Sequence, residues 1–202
     1  MWRKVVPMRK PDWQKTRETC IRKAMARLKR TIALVGMMGA GKSSVGRRLA
    51  AQLGVPFRDA DSEIEAAAGC TIAEIFDRFG EQAFRDGERR VILRLLTEPP
   101  HVLATGGGAF VDERTRAQIK ADAVSIWLRA PPELLAARVQ RRETRPLLRD
   151  GDPREILEKL LAAREPFYAQ ADISLDIEDG PHATVVERII AALEARGVLE
   201  NA

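Results

Sequence analysis

The chain has 202 residues, a length that suits one domain of ordinary size, and its 45% hydrophobic and 31% charged residues are typical of a globular protein. No window approaches 18 consecutive apolar residues, so the sequence predicts no membrane-spanning helix. Cys20 and Cys70 match no metal-binding or redox spacing, and we therefore expect free thiols and a cytoplasmic protein.

The formal net charge of +5 is unevenly distributed along the chain. Residues 1–30 contain 11 Lys or Arg against two acidic residues, Asp12 and Glu18, whereas the remainder has a net charge of −4. A solvated tail is the favoured interpretation of this basic segment, and a nucleic-acid-binding arm is the alternative. No apolar stretch follows the basic start, so we expect no secretory signal, and the two acidic residues count against a transit peptide. We therefore divide the chain into an N-terminal extension, 1–30, and a body, 31–202.

Strands and helices alternate through the body, which predicts a parallel sheet covered by helices on both faces. The predicted extended segments are 31–35, 55–57, 101–104, 123–128 and 173–177. The predicted helices are 42–53, two short ones in 62–80 broken at Gly69, 81–96, 112–121, 132–142, 153–169 and 183–196. In the second short helix Thr71 is the expected N-cap, and Glu74 would complete a capping box. The polar residues 143–152 are expected to form a loop.

A phosphate-binding loop follows the first strand of the body. The segment Gly36-Met-Met-Gly-Ala-Gly-Lys-Ser43 matches G-x-x-x-x-G-K-[ST] and lies between an apolar strand and a helix, as this motif requires. Its glycines let backbone N–H groups face phosphate oxygens, and the helix N-terminus adds positive potential. Lys42 would supply charge to the β- and γ-phosphates, and the Ser43 hydroxyl could ligate Mg²⁺. The motif indicates nucleotide binding but does not identify the phosphoryl acceptor.

Two short motifs follow later strands. Asp59-Ala-Asp61 comes at the carboxyl end of the second strand, where open α/β sheets bind ligands, although D-x-D alone is most often a solvated turn. The segment Ala104-Thr-Gly-Gly-Gly108 follows a buried-type strand. Three consecutive glycines are costly in conformational entropy, which favours a close approach of backbone to ligand over a flexible turn.

Three arginines lie in further recognisable segments: Phe84-Arg85-Asp86, Arg145-Pro-Leu-Leu148 and Arg164-Glu-Pro-Phe-Tyr168. The planar guanidinium group suits carboxylates and phosphates because it donates two parallel hydrogen bonds. With 34 basic residues in the chain, a single arginine is usually a surface residue, and only the combination with the other motifs favours binding roles.

In this order and spacing the motifs G-x-x-G-x-G-K-S, F-x-D-x-D, F-R-x-x-E, A-T-G-G-G, R-P-L-L and R-x-P-x-Y resemble the shikimate kinase family. The resemblance covers about residues 31–196 and leaves the N-terminal extension outside. It implies an α/β P-loop NTPase fold with a five-stranded parallel sheet, helices on both faces, a nucleoside monophosphate kinase-like topology and a lid at about 142–152. It also implies phosphoryl transfer from MgATP to the 3-hydroxyl of shikimate, with ATP and Mg²⁺ as cofactors.

Residue roles follow from the resemblance at the nucleotide. ATP would be bound by Gly39, Ala40, Gly41, Lys42, Ser43 and Ser44. Ser43 would ligate Mg²⁺, and Asp59 would hold the ion through water. Arg145, on the lid, would reach over the phosphates and act in catalysis together with Lys42. Arg141 would lie against the adenine.

The resemblance also assigns the acceptor side. Asp61 would accept a hydrogen bond from the reacting hydroxyl and act as its catalytic base. Arg85 and Arg164 would bind the substrate carboxylate, and Gly107 would contact the ring hydroxyls. The sequence departs from the family's pattern near Glu178-Asp-Gly-Pro181, which leaves nucleotide-base contacts there in doubt.

Alternative functions stay open at this point. A gluconate or nucleoside monophosphate kinase shares the architecture, although no aromatic residue is clearly placed to stack on a second base. A non-catalytic nucleotide sensor is the rival from another class, and the presence of Lys42, Ser43, Asp61 and Arg145 argues against it. As partners we expect shikimate, no membrane and no nucleic acid, and we expect a monomer.

Overall fold

The structure is a computed structural model that describes residues 27–139 and 153–200. Its strands are β1 (Arg27–Leu28), β2 (Thr31–Val35), β3 (Phe57–Asp59), β4 (Val102–Ala104), β5 (Ala123–Arg129), β6 (Ile173–Asp176) and β7 (Leu199–Glu200). Its helices are α1 (Lys42–Leu53), α2 (Ala60–Ala68), α3 (Ile72–Leu96), α4 (Glu113–Asp122), α5 (Pro132–Val139), α6 (Pro153–Tyr168) and α7 (His182–Ala195).

Five parallel strands form the central sheet, in the order β3-β4-β2-β5-β6. The middle strand β2 is buried along its whole length and apolar from Ile32 to Val35, as expected for a parallel strand with helices on both faces. It pairs in register with β4 on one side and β5 on the other. The carboxyl ends of β2, β3 and β4 therefore meet at one edge of the sheet. The predicted fold class is confirmed.

Helix α1 directly follows the phosphate-binding loop, and its first turn lies at this edge of the sheet. It begins after Gly41 and ends at Gly54, both of which have left-handed backbone conformations. Its buried residues Val45 and Leu49 recur at helical spacing, and the helix packs against α7. Gly46 allows the closest contact, since a Cβ atom there would lie 2.6 Å from the Phe57 ring.

Helices α2 and α3 pack against each other and carry Asp61 and Arg85, respectively. Asp59 caps α2 by accepting a hydrogen bond from the Asp61 N–H group. Thr71 caps α3, and the reciprocal bonds with Glu74 confirm the predicted capping box. The predicted break after Gly80 is present as a kink within α3, where the glycine has φ of 79°.

Most predicted elements are present, with end shifts of one or two residues. Strand β3 begins at Phe57, and Val55 is not part of it. Helix α5 is described as far as Val139, and the predicted residues 140–142 and the loop 143–152 lie outside the described residues. No helix in the described ranges is long and apolar enough to cross a membrane.

A two-stranded antiparallel sheet of β1 and β7 joins the beginning and the end of the described chain, and the sequence analysis did not anticipate it. Leu28 is buried there and packs into the main hydrophobic core with Leu199. Arg30 donates hydrogen bonds to the carbonyl oxygens of Lys120 and Ala121, at the end of α4. Residues 27–30 are thus in contact with the body.

We predict that Leu28→Ala lowers the free energy of unfolding by about 2 kcal/mol, since it removes a buried side chain and leaves a cavity. Chemical denaturation measures this loss. Leu93→Ala is the matched control, because Leu93 is 38% exposed and Leu28 only 5% exposed. The control should change stability by only about 0.5 kcal/mol. Equal losses in the two variants would show that β1 does not pack as described.

Candidate active site

A cleft of about 350 Å³ lies over the carboxyl ends of β2, β3 and β4. Such an edge is the usual ligand site of an open parallel sheet. The residues that line the cleft are Met38, Gly39, Gly41, Lys42, Ser43, Ser44, Asp59, Asp61, Thr105, Gly107, Arg138, Val139 and His182. The cleft therefore brings together the predicted nucleotide loop, the D-x-D motif and the glycine segment.

The phosphate-binding loop follows β2 without a break. Gly36, Gly39 and Gly41 have φ values of 128°, 82° and 87°, which side chains other than glycine rarely adopt. The buried Lys42 amine donates to the carbonyl oxygens of Gly36 and Met37 at 2.8 and 2.9 Å. The charge is thus held inside the loop, at the N-terminus of α1, where an anion is favoured.

Two predicted residues of the metal site are in direct contact. The Ser43 hydroxyl donates to Asp59 Oδ2 at 2.6 Å, while the other carboxylate oxygen caps α2. Asp61 lies in the first turn of α2, where the helix dipole favours a negative charge. No group of three or more His, Cys, Asp or Glu in the described ranges could hold a metal alone. One hydroxyl with carboxylates fits Mg²⁺, which keeps several waters and binds nucleotide phosphates.

Two glycines of the segment 106–108 make room for charged side chains. A Cβ atom on Gly106 would lie 2.3 Å from Glu88 Oε1 and 3.0 Å from Asp61 Oδ1. A Cβ atom on Gly108 would lie 2.5 Å from Arg85 Nη1, and one on Gly107 would lie 3.6 Å from Arg164 Nη1. Gly106 and Gly108 thus lie against charged side chains of the protein, and the approach of this backbone to a ligand stays a prediction.

Arg85 is fixed on α3 by two carboxylates. Its guanidinium group pairs with Glu88 at 2.8 Å and with Glu81 at 3.1 Å. Burial raises the pKa of Glu88, and the Arg85 charge opposes that rise. Burial also opposes the charge on Arg85, yet the Glu88 carboxylate raises the pKa of the guanidinium. Oε1 of Glu88 is buried and has no protein hydrogen-bond partner. The site thus presents a buried carboxyl oxygen beside Gly106.

Arg164, the second residue that is predicted to bind the substrate carboxylate, lies on α6. Arg164 Nη1 donates to the Gly107 carbonyl oxygen at 3.4 Å. Arg85 and Arg164 come from helices far apart in sequence, and both lie against the glycine segment. Two guanidinium groups and Asp61 around one glycine segment form a site suited to a ligand with a carboxylate and a reactive hydroxyl group.

Comparison with known proteins identifies the family. The sequence model described as shikimate kinase matches residues 38–194. The shikimate kinase of Caulobacter vibrioides (strain NA1000 / CB15N) is 63% identical over 164 residues, covering 81% of this chain and 82% of the relative. The chain belongs to the shikimate kinase family.

Further members of the shikimate kinase family show the same relationship. The shikimate kinase of Bradyrhizobium diazoefficiens is 58% identical over 166 residues, covering 82% of this chain and 80% of the relative. The structure of the Acinetobacter baumannii enzyme in complex with shikimate matches with a TM-score of 0.83 at 38% identity, over 87% of this chain and 98% of that one.

A more distant structure shows only the shared fold. A gluconokinase from Sinorhizobium meliloti matches with a TM-score of 0.53 at 20% identity, over 84% of this chain and 94% of that one. The fold alone does not indicate which phosphoryl acceptor a kinase uses, whereas the family relationship does.

Several residues of the cleft were not selected from the sequence. Arg138 and His182 both lie beside Gly41, at 3.8 and 3.6 Å from the position of an added Cβ atom. Nη1 of Arg138 is buried without a hydrogen-bond partner, and Nη2 lies 3.6 Å from Asp179. Burial lowers the pKa of His182, and the charges of Arg48 and Arg138 lower it further. A neutral imidazole therefore faces the loop.

The remaining predicted contacts involve the segment near α5. Arg138 lies in the cleft, where the sequence analysis expected Arg141 near the nucleotide base. Arg138 and Arg141 are both basic and lie on one predicted helix, so the sequence has no pattern that predicts which of them faces the cleft. Arg141, Arg145 and the proposed lid at 142–152 lie outside the described residues.

We predict that Lys42→Ala reduces ATP-dependent turnover by about 100-fold or more, because the variant lacks the charge held inside the phosphate-binding loop. Steady-state ADP release measures the loss. Lys120→Ala is the control, since it removes the same side chain from the exposed end of α4. Turnover within twofold of wild type in Lys42→Ala would contradict the role of this amine.

Proposed function

We propose that this chain transfers the γ-phosphoryl group of MgATP to the 3-hydroxyl group of shikimate, giving shikimate 3-phosphate and ADP. The carrying observation is the position of Arg85, Arg164 and Asp61 around one glycine segment, beside the phosphate-binding loop. The Acinetobacter baumannii relative, whose structure contains shikimate, supports the choice of acceptor.

The phosphate-binding loop would hold the donor. Residues 39–44 wrap the phosphates, with backbone N–H groups and the α1 N-terminus facing the negative charge. The Lys42 amine would transfer its hydrogen bonds from the loop carbonyls to phosphate oxygens. The proposal that Arg145 reaches the same phosphates and that Arg141 lies against adenine rests on the sequence motifs. Arg138 and His182 are additional candidates for base contacts, because both lie beside Gly41.

The metal would be held by Ser43 directly and by Asp59 through water. The hydrogen bond between them, 2.6 Å long, shows that hydroxyl and carboxylate are already adjacent. Bound Mg²⁺ would supply positive charge to the phosphate oxygens and neutralise charge that develops during transfer.

Asp61 and the arginines would hold the acceptor. The two guanidinium groups bind the carboxylate of shikimate, and Gly107 contacts the ring hydroxyls. The 3-hydroxyl oxygen forms its bond to the γ-phosphorus as the bond to the β–γ bridging oxygen breaks, and the hydroxyl proton moves to Asp61. A strongly basic Asp61 is unnecessary, because proton removal contributes little to a loose phosphoryl-transfer transition state.

Closure of residues 142–152 would exclude water and limit ATP hydrolysis, a role that rests on the sequence resemblance. The cysteine usage of the sequence favours a cytoplasmic protein, and we propose a monomer whose partner is the small molecule shikimate. Residues 27–30 of the N-terminal extension pack on the body, and for the remainder of it a solvated basic tail stays our proposal, with nucleic-acid binding as the alternative.

The acceptor is tested by ADP release with shikimate, gluconate and a nucleoside monophosphate, each at the same ATP and Mg²⁺ concentrations. We expect ADP release that depends on shikimate, together with formation of one equivalent of shikimate 3-phosphate. Equal or greater turnover with another acceptor would overturn the proposal. ADP release that is independent of every acceptor would favour an ATPase.

We predict that Gly108→Ala weakens shikimate binding by about 10- to 100-fold, because the new Cβ atom displaces the Arg85 guanidinium. Calorimetric titration with shikimate measures the change, and ADP binding should be unaffected. Gly87→Ala is the matched control, two residues from Arg85 on the same helix, where an added Cβ atom meets nothing within 4 Å. Unchanged shikimate affinity in a folded Gly108→Ala variant would contradict the proposal that Arg85 binds the substrate carboxylate.

A further inference from the structure

Tyr168 is the one tyrosine of the chain, and its side chain is completely buried at the end of α6. It lies four residues after Arg164, a spacing that places both side chains on the same face of the helix. A buried hydroxyl group therefore lies beside the proposed acceptor site.

The ring of Tyr168 is held by the central sheet. It packs on Trp127 of β5, with ring centroids 5.9 Å apart and planes inclined at 31°. Trp127 pairs with Val35, the last residue of β2 before the phosphate-binding loop. The hydroxyl group therefore has a defined position relative to the strand ends.

The hydroxyl group contacts both halves of the active site. It donates a hydrogen bond to the Gly107 carbonyl oxygen, and it lies 3.6 Å from the Met37 sulfur atom. Met37 belongs to the phosphate-binding loop, and its carbonyl oxygen accepts a hydrogen bond from Lys42. Burial raises the pKa of Tyr168 to about 12, so the hydroxyl group keeps its proton and remains a donor at neutral pH.

The same carbonyl oxygen is also within reach of Arg164, at the long distance of 3.4 Å. The Gly107 carbonyl oxygen is partly buried, and the neutral hydroxyl group provides it with a donor from the protein interior. Without the hydroxyl group, Arg164 would be the remaining donor to Gly107 and would be drawn toward the glycine segment. A guanidinium group engaged in this way is less available to an incoming carboxylate.

We propose that Tyr168 is a positioning residue: its hydroxyl group holds the Gly107 carbonyl, and this keeps Arg164 oriented toward the substrate carboxylate. The inference rests on the proposed function, because it assumes that Arg164 binds the carboxylate of shikimate. The contact with Met37 adds a second consequence, since one hydroxyl group then joins the substrate segment to the nucleotide loop.

The test is Tyr168→Phe, which removes only the hydroxyl oxygen and keeps the buried ring. We expect KM and Kd for shikimate to rise about three- to tenfold, the range for one net hydrogen bond, with KM for ATP within twofold of wild type. Wild-type turnover of shikimate is measured first, so that failure of the proposed function is recognised separately.

Thr31→Val is the matched control. It also removes a buried hydroxyl group without changing side-chain shape, but at the opposite end of β2, where Thr31 lies within 3.4 Å of His101. We expect a comparable change in unfolding midpoint and unchanged shikimate binding. Shikimate affinity equal to wild type in Tyr168→Phe, or an equal loss in Thr31→Val, would overturn the proposal.

A measurement on the unmutated sequence covers the case in which Tyr168→Phe fails to fold. Because the chain has one tyrosine, incorporation of 3-fluorotyrosine gives a single ¹⁹F resonance from this position. Saturating shikimate should shift the resonance, and ADP should shift it through Met37. A resonance unchanged by shikimate would contradict the proposed link between the hydroxyl group and the occupied acceptor site.

Discussion

The proposed acceptor site depends on the close approach of one backbone segment to charged side chains. Gly106 and Gly108 lie where any Cβ atom would collide with Glu88 and Arg85, and Arg164 lies at van der Waals distance from the Gly107 position. A guanidinium group can therefore lie directly against the main chain, with its remaining N–H groups available to a ligand. Three glycines are costly in chain entropy, and the charged groups that they admit explain why the fold accepts that cost.

Buried charge is the second feature that organises the site. The Glu88 carboxyl group is almost completely buried, and its ion pair with Arg85 offsets part of the desolvation cost of both groups. The second oxygen of Glu88 has no hydrogen-bond partner in the protein, so it can take part in a further hydrogen bond beside the D-x-D motif. At the nucleotide loop, Lys42 is likewise buried, and two carbonyl oxygens stabilise its charge. Both halves thus hold charge in prearranged positions, which favours binding of anionic groups with little reorganisation.

Much of this arrangement was predictable from local pattern. The phosphate-binding loop has a fixed spacing because phosphate geometry constrains the backbone, and Asp59 and Asp61 follow a strand whose end lies at the ligand edge. Arg85 and Arg164 were selected from their motifs, and both lie against the glycine segment. Arg138 and His182 were not, because their helical surroundings resemble any surface segment, and only packing of α5 and α7 around Gly41 brings them into the cleft. The β1–β7 pairing was also missed, since two residues on each strand carry no periodic signal.

The sequence by itself determined the nucleotide loop, the order of strands and helices, and the family resemblance, because these depend on local spacing and on short motifs. The tertiary structure decided which charged groups lie against Gly106 and Gly108, how deeply the Arg85–Glu88 pair is buried, and that Tyr168 lies between Gly107 and Met37. The contact between Tyr168 and Met37 joins residues 131 positions apart, so it is set by the packing of α6 against β5 and the strand ends. No local sequence pattern spans that separation, so the sequence alone does not predict the geometry of the proposed acceptor site.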